Sequence, residues 1–402
     1  MRVALVHDWL TGMRGGERCL EAFLHLYPDA DIFTLVHVPG STSELIDSRV
    51  KGVSFLNRFP GVAKYYRWLL PFFPFAVKGL KLQGYDLIIS LSHAATKNID
   101  VPVGSRHVCY CFTPMRYIWD QSRLYFRGGF FYALWPLLWL LRQWDRRGSD
   151  RVTEFVAISS FVAARIRKFY GRRAFIIHPP VRMVAEIRAK LSSQEKAFFA
   201  GHPENFFLCA GALVPYKRVD VAVSAFNSLG LPLWVVGGGP ELVRLRRAST
   251  GNVRFLGHVT EAFMWECYRR CRALVFPGVE DFGIVPIECL ASGRPVIGVN
   301  AGGLAETILG SSRVGSSEQS QRIAWNGVLI PKSRIGSSQA LKEAVSFFLA
   351  REQLFNPHEA QQHATCFSHS RFFERWRIFC EQKNINTTEG CVGVSSPQRA
   401  SC

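Results

Sequence analysis

The sequence lacks any uninterrupted apolar run of about eighteen residues, the length that a membrane-spanning helix requires. Its two most apolar stretches are residues 65–82 and residues 128–141. As a helix, the second would extend about 21 Å, less than the roughly 30 Å of a hydrocarbon core. We therefore expect these aromatic, arginine-flanked stretches either to lie in a membrane interface or to pack inward as core helices, but not to span a membrane.

Cysteine occurs without the spacing of a metal site or a disulfide framework. The chain has 11 cysteines, and none of them forms a CxxC pair or a paired Cys/His motif. The odd number of thiols and the absence of a recognisable signal peptide favour the reducing cytoplasm. We therefore expect a cytoplasmic protein without a zinc site.

Acidic residues are few relative to basic ones. The 402 residues include 49 Lys and Arg against 31 Asp and Glu, a net charge of +18, and residues 1–180 hold 24 bases against 13 acids. An anionic partner is therefore expected, mainly through the first half: a phosphate-bearing ligand, a nucleic acid or an acidic lipid. No nucleic-acid recognition motif is present, so we expect no nucleic-acid partner. An apolar content of 48% excludes disorder and predicts two or three globular domains.

Strand-length apolar runs recur along the chain, each followed by turn residues and then by helical spacing. Because these runs do not alternate with polar residues, they predict strands buried on both faces of parallel sheets. The predicted fold class is α/β, with two doubly wound Rossmann-like domains that face a central cleft. The predicted strands are Val3–His7, Asp31–Val36, Tyr85–Ser90, His107–Phe112, Phe155–Ser159 and Phe175–His178, then Phe206–Ala212, Leu233–Gly237, Val253–Gly257, Ala273–Pro277 and Pro295–Val299.

The domain boundaries follow from shifts in composition. A polar segment without a strand pattern predicts a linker at residues 183–204, between an N-terminal domain at 1–182 and a C-terminal domain at 205–366. Residues 367–385 are aromatic and basic with helical spacing and predict a C-terminal helix on a domain surface. Residues 386–402 predict a flexible tail.

The segment FPGVEDFGIVPIECL, residues 276–290, is the most informative in the chain. It predicts a strand that ends at Phe276, a loop, and a helix with Pro286 at its first position and Glu288 in its first turn. The backbone N–H groups of Gly283, Ile284 and Val285 would then form a phosphate cradle. Glu288 could accept two ribose hydroxyls, or it could only complement the helix dipole. Glu280 could reach a sugar beyond the phosphates.

Other predicted strand ends carry a cation or close-packed glycines. GALVPYKRVD places Lys217 and Arg218 after a strand, where a cation can neutralise a departing diphosphate. Gly238, within the run Gly237–Gly239, and the later pair Gly302 and Gly303 permit close approach of the backbone. Each is an ordinary βα turn when taken alone. Together they predict a ligand site at the carboxyl ends of the strands, in the cleft between the domains.

These residues resemble the family 4 glycosyltransferases, a retaining, nucleotide-sugar-dependent group with the GT-B fold. The resemblance rests on GALVPYKRVD, VGGGP, FLGHV, EDFGIVPIE and AGGLAET, in that order, and in the first half on VHDWLTGMRGGER, YDLIISLSHAATKN, YCFTPMRYIWD and FVAISSFVAARIRKFYGRRAFIIHPPV, so that it covers nearly all of residues 1–310. These motifs are most similar to those of the mannosyltransferase-like group that uses GDP-mannose in surface polysaccharide biosynthesis. The expected function is transfer of a hexose to a glycan or lipid-linked acceptor.

The resemblance implies roles for the residues already selected. Glu280 would hold donor-sugar hydroxyls with help from the Phe282 and Gly283 backbone, and Glu288 would hold the ribose. Lys217 and Arg218 would neutralise the leaving diphosphate, which Gly15 and Gly16, in a loop after the first strand, would approach from the opposite wall. No metal cofactor is expected, because these cations and the helix end already supply positive charge.

Two positions depart from the family pattern. Ala212 stands where an arginine usually precedes the lysine, and Arg218 could compensate. Phe112 stands where the YC-x-TPMRY motif usually has a histidine beside the reacting sugar. Phenylalanine cannot hydrogen-bond a sugar hydroxyl, so either His7, Asp8, His93 or His107 takes over that role or turnover is low. The alternative function is therefore a membrane-associated, sugar-nucleotide-binding relative without turnover.

The first domain is expected to recognise the acceptor. Arg116 and Lys97 are the candidates for contacts to an anionic, polyprenyl-linked acceptor. The basic surplus and the aromatic stretches would place the protein peripherally at the inner face of the plasma membrane.

Overall fold

The computed structural model describes residues 1–120, 122, 134–202, 205–308 and 326–385. The chain forms two compact units, of which the first holds Met1–Pro180 together with the segment that begins at Phe372, and the second holds Val181–Arg371. The segment 183–204, predicted as a linker, belongs to the second unit and contains a helix in its described part. The predicted tail, 386–402, lies outside the described residues.

The first unit is built on a parallel sheet of seven strands among its described residues. The strand order is β3-β2-β1-β4-β5-β6-β7. Because β1 and β4 are buried along their whole length, most of their side chains are apolar. The strands are β1 (Val3–Leu10), β2 (Asp31–His37), β3 (Val50–Val53), β4 (Leu87–Ser92), β5 (Arg106–Cys111), β6 (Glu154–Ala157) and β7 (Ala174–Ile176).

Helices connect these strands, and a polar cap fixes where one of them begins. That helix begins after Ser159, whose side chain accepts a hydrogen bond from the Val162 N–H at 3.1 Å, and ends at Gly171 in the left-handed region. The helices of the first unit are α1 (Gly15–Leu26), α2 (Glu44–Asp47), α3 (Val62–Tyr65), α4 (Phe73–Lys78), α5 (Trp135–Gly148) and α6 (Ser160–Tyr170).

The second unit repeats the architecture with a parallel sheet of six described strands, in the order β10-β9-β8-β11-β12-β13. The strands are β8 (Phe207–Ala210), β9 (Leu233–Val236), β10 (Val253–Gly257), β11 (Leu274–Phe276), β12 (Val296–Val299) and β13 (Gly327–Ile330). The helices are α7 (Ser193–Ala200), α8 (Val219–Leu229), α9 (Leu242–Ala248), α10 (Glu261–Arg270), α11 (Ile284–Ala291), α12 (Leu304–Thr307), α13 (Ser338–Leu349) and α14 (Pro357–Ala364).

The last helix, α15 (His369–Gln382), returns the chain to the first unit. The indole of Trp376 donates a hydrogen bond to the Tyr27 hydroxyl at 2.9 Å, and its ring packs against Phe23 with centroids 4.6 Å apart. Lys383 then pairs with Glu154 at 2.9 Å. The aromatic spacing of this segment therefore serves packing against α1 and β5.

The prediction of an α/β chain with two doubly wound parallel sheets is confirmed. Both sheets have one strand more than the sequence pattern indicated, because Val50–Val53 and Gly327–Ile330 were not predicted. Each of these strands has four residues and lies at the edge of its sheet.

Candidate functional site

The loops that follow β8, β11 and β12 lie against one another at the carboxyl end of the second sheet. Gly278, just after β11, faces the backbone of Lys217, and a Cβ on it would lie 2.7 Å from the Lys217 Cα. Gly302, with φ +65°, faces Glu280 in the same way, and a Cβ there would lie 2.2 Å from the Glu280 carbonyl oxygen. Any larger residue would separate these loops. Glycine at the two positions therefore brings the backbones of Lys217 and Glu280 to one place.

The predicted residues Lys217 and Glu280 form an ion pair. Lys217 Nζ is 3.0 Å from Glu280 Oε1, and both side chains are mostly buried. The Lys217 ammonium also lies 5.7 Å from the ring centroid of Phe276, the last residue of β11. A cation and a carboxylate are thus held side by side where the strands end. This pair can offer a positive charge to a phosphate and an acceptor to a hydroxyl at the same place.

Arg218 is directed elsewhere. Its Nε donates to Asp220 Oδ1 at 3.1 Å, and its Nη2 lies 3.4 Å from the carbonyl oxygen of Gly336. Its backbone has φ 52°, a left-handed conformation that is uncommon for a residue with a side chain. The charge of Arg218, which was predicted to neutralise a diphosphate, is therefore partly balanced by Asp220.

Helix α11 begins two residues earlier than predicted. Ile284 is its first residue, Pro286 its third and Glu288 its fifth, so the prediction of Glu288 in the first turn is wrong. Proline is tolerated throughout a first turn because N–H groups there have no acceptor within the helix, which explains the error. The same geometry leaves the N–H groups of Gly283, Ile284 and Val285 without an intrahelical acceptor. The three N–H groups predicted to form a phosphate cradle thus lie at the amino end of a helix, with Gly283 in the left-handed region at φ 94°.

Glu288 faces inward and is fixed by a partner that the sequence did not suggest. The Tyr268 hydroxyl donates to Glu288 Oε2 at 2.9 Å, and both residues are buried. Because Tyr268 fixes the orientation of the Glu288 carboxylate, this group does more than complement the helix dipole.

The remaining predicted donor-binding residues of the second unit differ in how they could touch a ligand. The Phe282 side chain is buried against Phe367, with ring centroids 5.7 Å apart, so a contact from Phe282 to a donor would come from its backbone. Gly238 follows β9, and a Cβ on it would lie 2.5 Å from His258 Nε2. Ile284 and Val285 are half-buried.

The other two predicted donor-binding residues, Gly15 and Gly16, lie in the first unit. They are the first two residues of α1, so the prediction that they occupy a loop is wrong. The space where Gly16 would carry a Cβ is 3.2 Å from His7 Nε2 and 3.7 Å from the ring of Phe112. Gly16 therefore allows the end of α1 to approach β1 and the loop after β5.

The polar residues considered as substitutes for the motif histidine fall into different environments. Asp8 is buried and accepts four backbone N–H bonds, from residues 93–96, at 2.6–2.9 Å. Although burial alone would raise its pKa, His93 and these N–H groups outweigh burial and lower it. His107 is buried against Ser90 near the beginning of β5, and burial lowers its pKa to about 3. Asp8 thus fixes a loop, and His107 is an interior residue.

The structure contradicts the prediction that Lys97 contacts an acceptor. Lys97 is 1% exposed and pairs with the buried Asp145 of α5, with Nζ 2.8 Å from Oδ1. Its Nζ also donates to the side chain of Asn98 at 2.7 Å. The ammonium is used inside the first unit and is not presented to a ligand. Arg116, the other acceptor-side candidate, is half-buried in the loop after β5.

Four of the described aromatic residues of the two apolar stretches lie on the surface, whereas Tyr66 and Phe73 of the first stretch are buried in the core of the first unit. Trp68 is 71% exposed and Phe75 67% exposed, and Trp135 and Trp139 of α5 are about half exposed. Residues 128–133 of the second stretch, and Arg127, lie outside the described residues. No helix in the described part of the chain is both long enough and apolar enough to cross a bilayer.

Comparison with known families decides what this arrangement belongs to. The model of the family described as Glycosyltransferase Family 4 matches residues 13–183, and that of Glycosyl transferases group 1 matches residues 192–363. The chain belongs to the family 4 glycosyltransferases. The resemblance stated from the motifs is thereby confirmed.

Curated relatives of this family 4 chain include mannosyltransferases. It is 31% identical over 160 residues to O-antigen chain mannosyltransferase C of Escherichia coli, covering 38% of this chain and 39% of that protein. It is 28% identical over 200 residues to the GDP-mannose-dependent alpha-(1-6)-phosphatidylinositol monomannoside mannosyltransferase of Mycobacterium tuberculosis, covering 43% of this chain and 51% of that protein. The chain thus spans about half or less of the length of these relatives.

Solved structures confirm the GT-B fold class of two Rossmann-like domains. Anabaena Alr3699/HepE in complex with UDP matches with a TM-score of 0.66 at 15% identity, covering 95% of this chain and 100% of that one. Sucrose-phosphate synthase from Thermosynechococcus elongatus matches with a TM-score of 0.69 at 15% identity, covering 96% and 100%.

Sequence reasoning missed three residues that shape the candidate site of this glycosyltransferase family member. Tyr268 fixes Glu288 from twenty residues away in the chain, and no pattern signals that contact. Asp220 follows Arg218 closely, which was a visible signal for a local ion pair. Gly278, directly after a strand, was a signal for a close approach of two loops.

Proposed function

We propose that this chain transfers a hexosyl unit, mannose from GDP-mannose, to a glycan or lipid-linked acceptor with retention of configuration. The observation that carries the proposal is the Lys217–Glu280 ion pair, with its atoms 3.0 Å apart, among the loops that lead into the amino end of α11. To bind a sugar joined to a diphosphate, a site needs a group that accepts hydrogen bonds from the sugar hydroxyls and, next to it, a positive charge for the phosphates. This pair supplies both.

The proposed roles follow the chemistry of a departing diphosphate. The N–H groups of Ile284 and Val285 and the Lys217 ammonium stabilise the charge that develops as the sugar–phosphate bond breaks. Glu280 holds hydroxyls of the sugar, and Glu288 holds the ribose. Arg218 adds a second charge while it remains shared with Asp220. Because these groups already supply positive charge, we propose a reaction without a metal cofactor.

The choice of mannose and guanine rests on the named relatives. The Mycobacterium protein is GDP-mannose-dependent by its description, and the E. coli protein is a mannosyltransferase. The Anabaena structure holds UDP instead, but at 15% identity that likeness bears on the fold alone. We therefore favour GDP-mannose and place UDP-glucose next in the test.

The alternative function, sugar-nucleotide binding without turnover, is favoured by one observation. Phe112 directly follows β5 in the first unit and presents only a half-buried aromatic ring where the family usually has an imidazole. A calorimetric titration with GDP-mannose, GDP and UDP-glucose, followed by an assay of donor hydrolysis and transfer, separates the two functions. Binding with turnover supports a transferase, binding with neither hydrolysis nor transfer supports the alternative, and no binding contradicts both.

A peripheral membrane association is part of the proposal. Trp68 and Phe75 project from the segment around α4, and α4 ends in the exposed Lys78, while α5 carries Trp139 and ends near the exposed Arg147. Apolar rings beside cations are the composition of a surface that enters an anionic lipid interface.

The double substitution Trp68→Ser with Phe75→Ser should weaken binding to phosphatidylglycerol vesicles about tenfold or more. The reason is that the two aromatic rings are no longer transferred from water into the lipid interface. Vesicle cosedimentation measures the change. Leu354→Ser is the matched control, since Leu354 is equally exposed but lies in the second unit. Equal partitioning of the double variant and the wild type would contradict the association.

A further inference from the structure

His7 has a ring nitrogen that the first unit leaves without a partner. The residue lies in β1, is 0% exposed, and its Nε2 has no hydrogen-bond partner among the described residues. Buried polar atoms are nearly always paired with protein, water or ligand. An unpaired Nε2 in the interior therefore indicates that a further group binds there.

The hydrogen bond of the other ring nitrogen defines what that group must be. His7 Nδ1 lies 3.1 Å from the Trp9 carbonyl oxygen, and a carbonyl oxygen can only accept. Nδ1 must therefore carry the proton, which leaves Nε2 of the neutral ring as an acceptor. Burial lowers the pKa of His7, although the nearby Glu17 and Asp8 act in the opposite direction and His93 acts with burial. Burial therefore favours the neutral ring, whose Nε2 offers a lone pair.

The surroundings of Nε2 place this acceptor at the amino end of a helix. A Cβ on Gly16, the second residue of the twelve-residue α1, would lie 3.2 Å from Nε2 and 3.7 Å from the ring of Phe112, so the amino end of α1 closely approaches His7. His7 and Phe112 meet edge to face, with centroids 6.4 Å apart. Neither Gly16 nor Phe112 has a side chain that can donate to Nε2. The Phe112 ring is half-buried and also packs against His93 and Tyr110, with centroids 6.2 Å and 5.5 Å away.

A phosphate does not pair with the lone pair of the neutral ring. At neutral pH a phosphate diester has oxygens that only accept, and they would face the lone pair of Nε2. A hydroxyl fits, because its proton points to Nε2 while its oxygen can accept from the N–H groups at the start of α1. The site therefore distinguishes a sugar hydroxyl from the phosphates that are expected near Gly15 and Gly16.

We propose that His7 Nε2 binds a sugar hydroxyl at the amino end of α1, beside Gly16 and Phe112. The proposal rests on the proposed function. It makes His7 the substrate-binding imidazole of a chain whose motif position carries phenylalanine. The hydroxyl comes either from the donor hexose or from the acceptor, for which water stands in during donor hydrolysis.

The test compares His7→Leu, which removes the acceptor atom, with His7→Gln, whose amide oxygen can accept at a similar reach. We expect His7→Leu to lose about tenfold in donor affinity or in the rate of donor hydrolysis, near the upper end of what one neutral hydrogen bond contributes. His7→Gln should recover part of that loss. A weaker Kd for GDP-mannose with an unchanged Kd for GDP identifies the donor hydroxyl. An unchanged Kd with slower hydrolysis of bound donor identifies the acceptor hydroxyl. His107→Leu is the control, because His107 is a buried histidine near the beginning of its strand, away from the sheet edge where ligands bind.

A second measurement needs no variant that must fold. In wild-type protein with 15N-labelled histidine, the Nε2 resonance of His7 should shift upfield when GDP-mannose binds, as its lone pair accepts a hydrogen bond. If the wild type binds and hydrolyses the donor but neither the resonance nor the three constants of His7→Leu change, this inference is wrong and the proposed function stands. If the wild type binds no nucleotide sugar, both are wrong.

Discussion

Replacing Lys217 with methionine is expected to lower donor turnover about 100- to 1,000-fold, the effect of removing one preorganised group that stabilises a developing negative charge. Methionine keeps an unbranched apolar stem of similar length, while the charge, and with it the contact of the ammonium with the Phe276 ring, is lost. Affinity for the intact donor should fall much less than turnover, because the charge on the diphosphate grows as the sugar leaves.

The kinetic pattern of the Lys217 variants separates charge from packing. Lys217→Arg should retain more activity than Lys217→Met, because it restores a cation beside Glu280. Lys332→Met is the matched control, since Lys332 is an exposed lysine of the same unit. Single-turnover hydrolysis and the melting temperature are measured for each protein. A Lys217→Met enzyme with wild-type turnover would remove Lys217 from the proposed chemistry.

The second large effect concerns stability and not turnover. Lys97→Met should destabilise the protein by about 3–5 kcal/mol, because it leaves the buried Asp145 carboxylate without its cation. Asp145 also accepts hydrogen bonds from the Trp119 indole and the Tyr170 hydroxyl, both at 2.8 Å. These two donors should keep the loss near the lower end of that range.

Denaturant unfolding of Lys97→Met measures the loss. Lys51→Met is the control, since Lys51 pairs with Asp31 at 2.8 Å on the surface, where an ion pair contributes at most about 1 kcal/mol. Adding Asp145→Asn to Lys97→Met should recover part of the stability by removing the unpaired charge. Equal losses for the Lys97 and Lys51 variants would contradict the interior role.

The sequence predicted the central strands well because burial on both faces leaves an apolar run that is easy to recognise. β4 and β12 are examples, since both were placed within two residues of their observed ends. The edge strand Val50–Val53 escaped because only alternate residues are half-buried and it includes a lysine and a glycine. The central strands were therefore predictable, and so was the edge strand β10, whereas the half-exposed edge strand β3 was not.

The candidate site was predictable where contacts are local in the chain. The βα turns that carry Lys217 and Glu280 follow recognisable strands, and their meeting follows from parallel topology. Lys97 was misjudged because its partner, Asp145, lies 48 residues away on a helix whose packing face the sequence does not define. Contacts of that range depend on tertiary packing.

The most direct test of the account concerns the orientation of the nucleotide at α11. Isothermal titration of GDP and GDP-mannose into wild type, Glu288→Gln, Glu280→Gln and the surface control Glu343→Gln measures it. Glu288→Gln should weaken both ligands about tenfold or more through loss of charged hydrogen bonds to the ribose, whereas Glu280→Gln should weaken only the sugar-bearing ligand. Equal affinities of all four proteins for both ligands would show that the nucleotide sugar does not bind at this helix end.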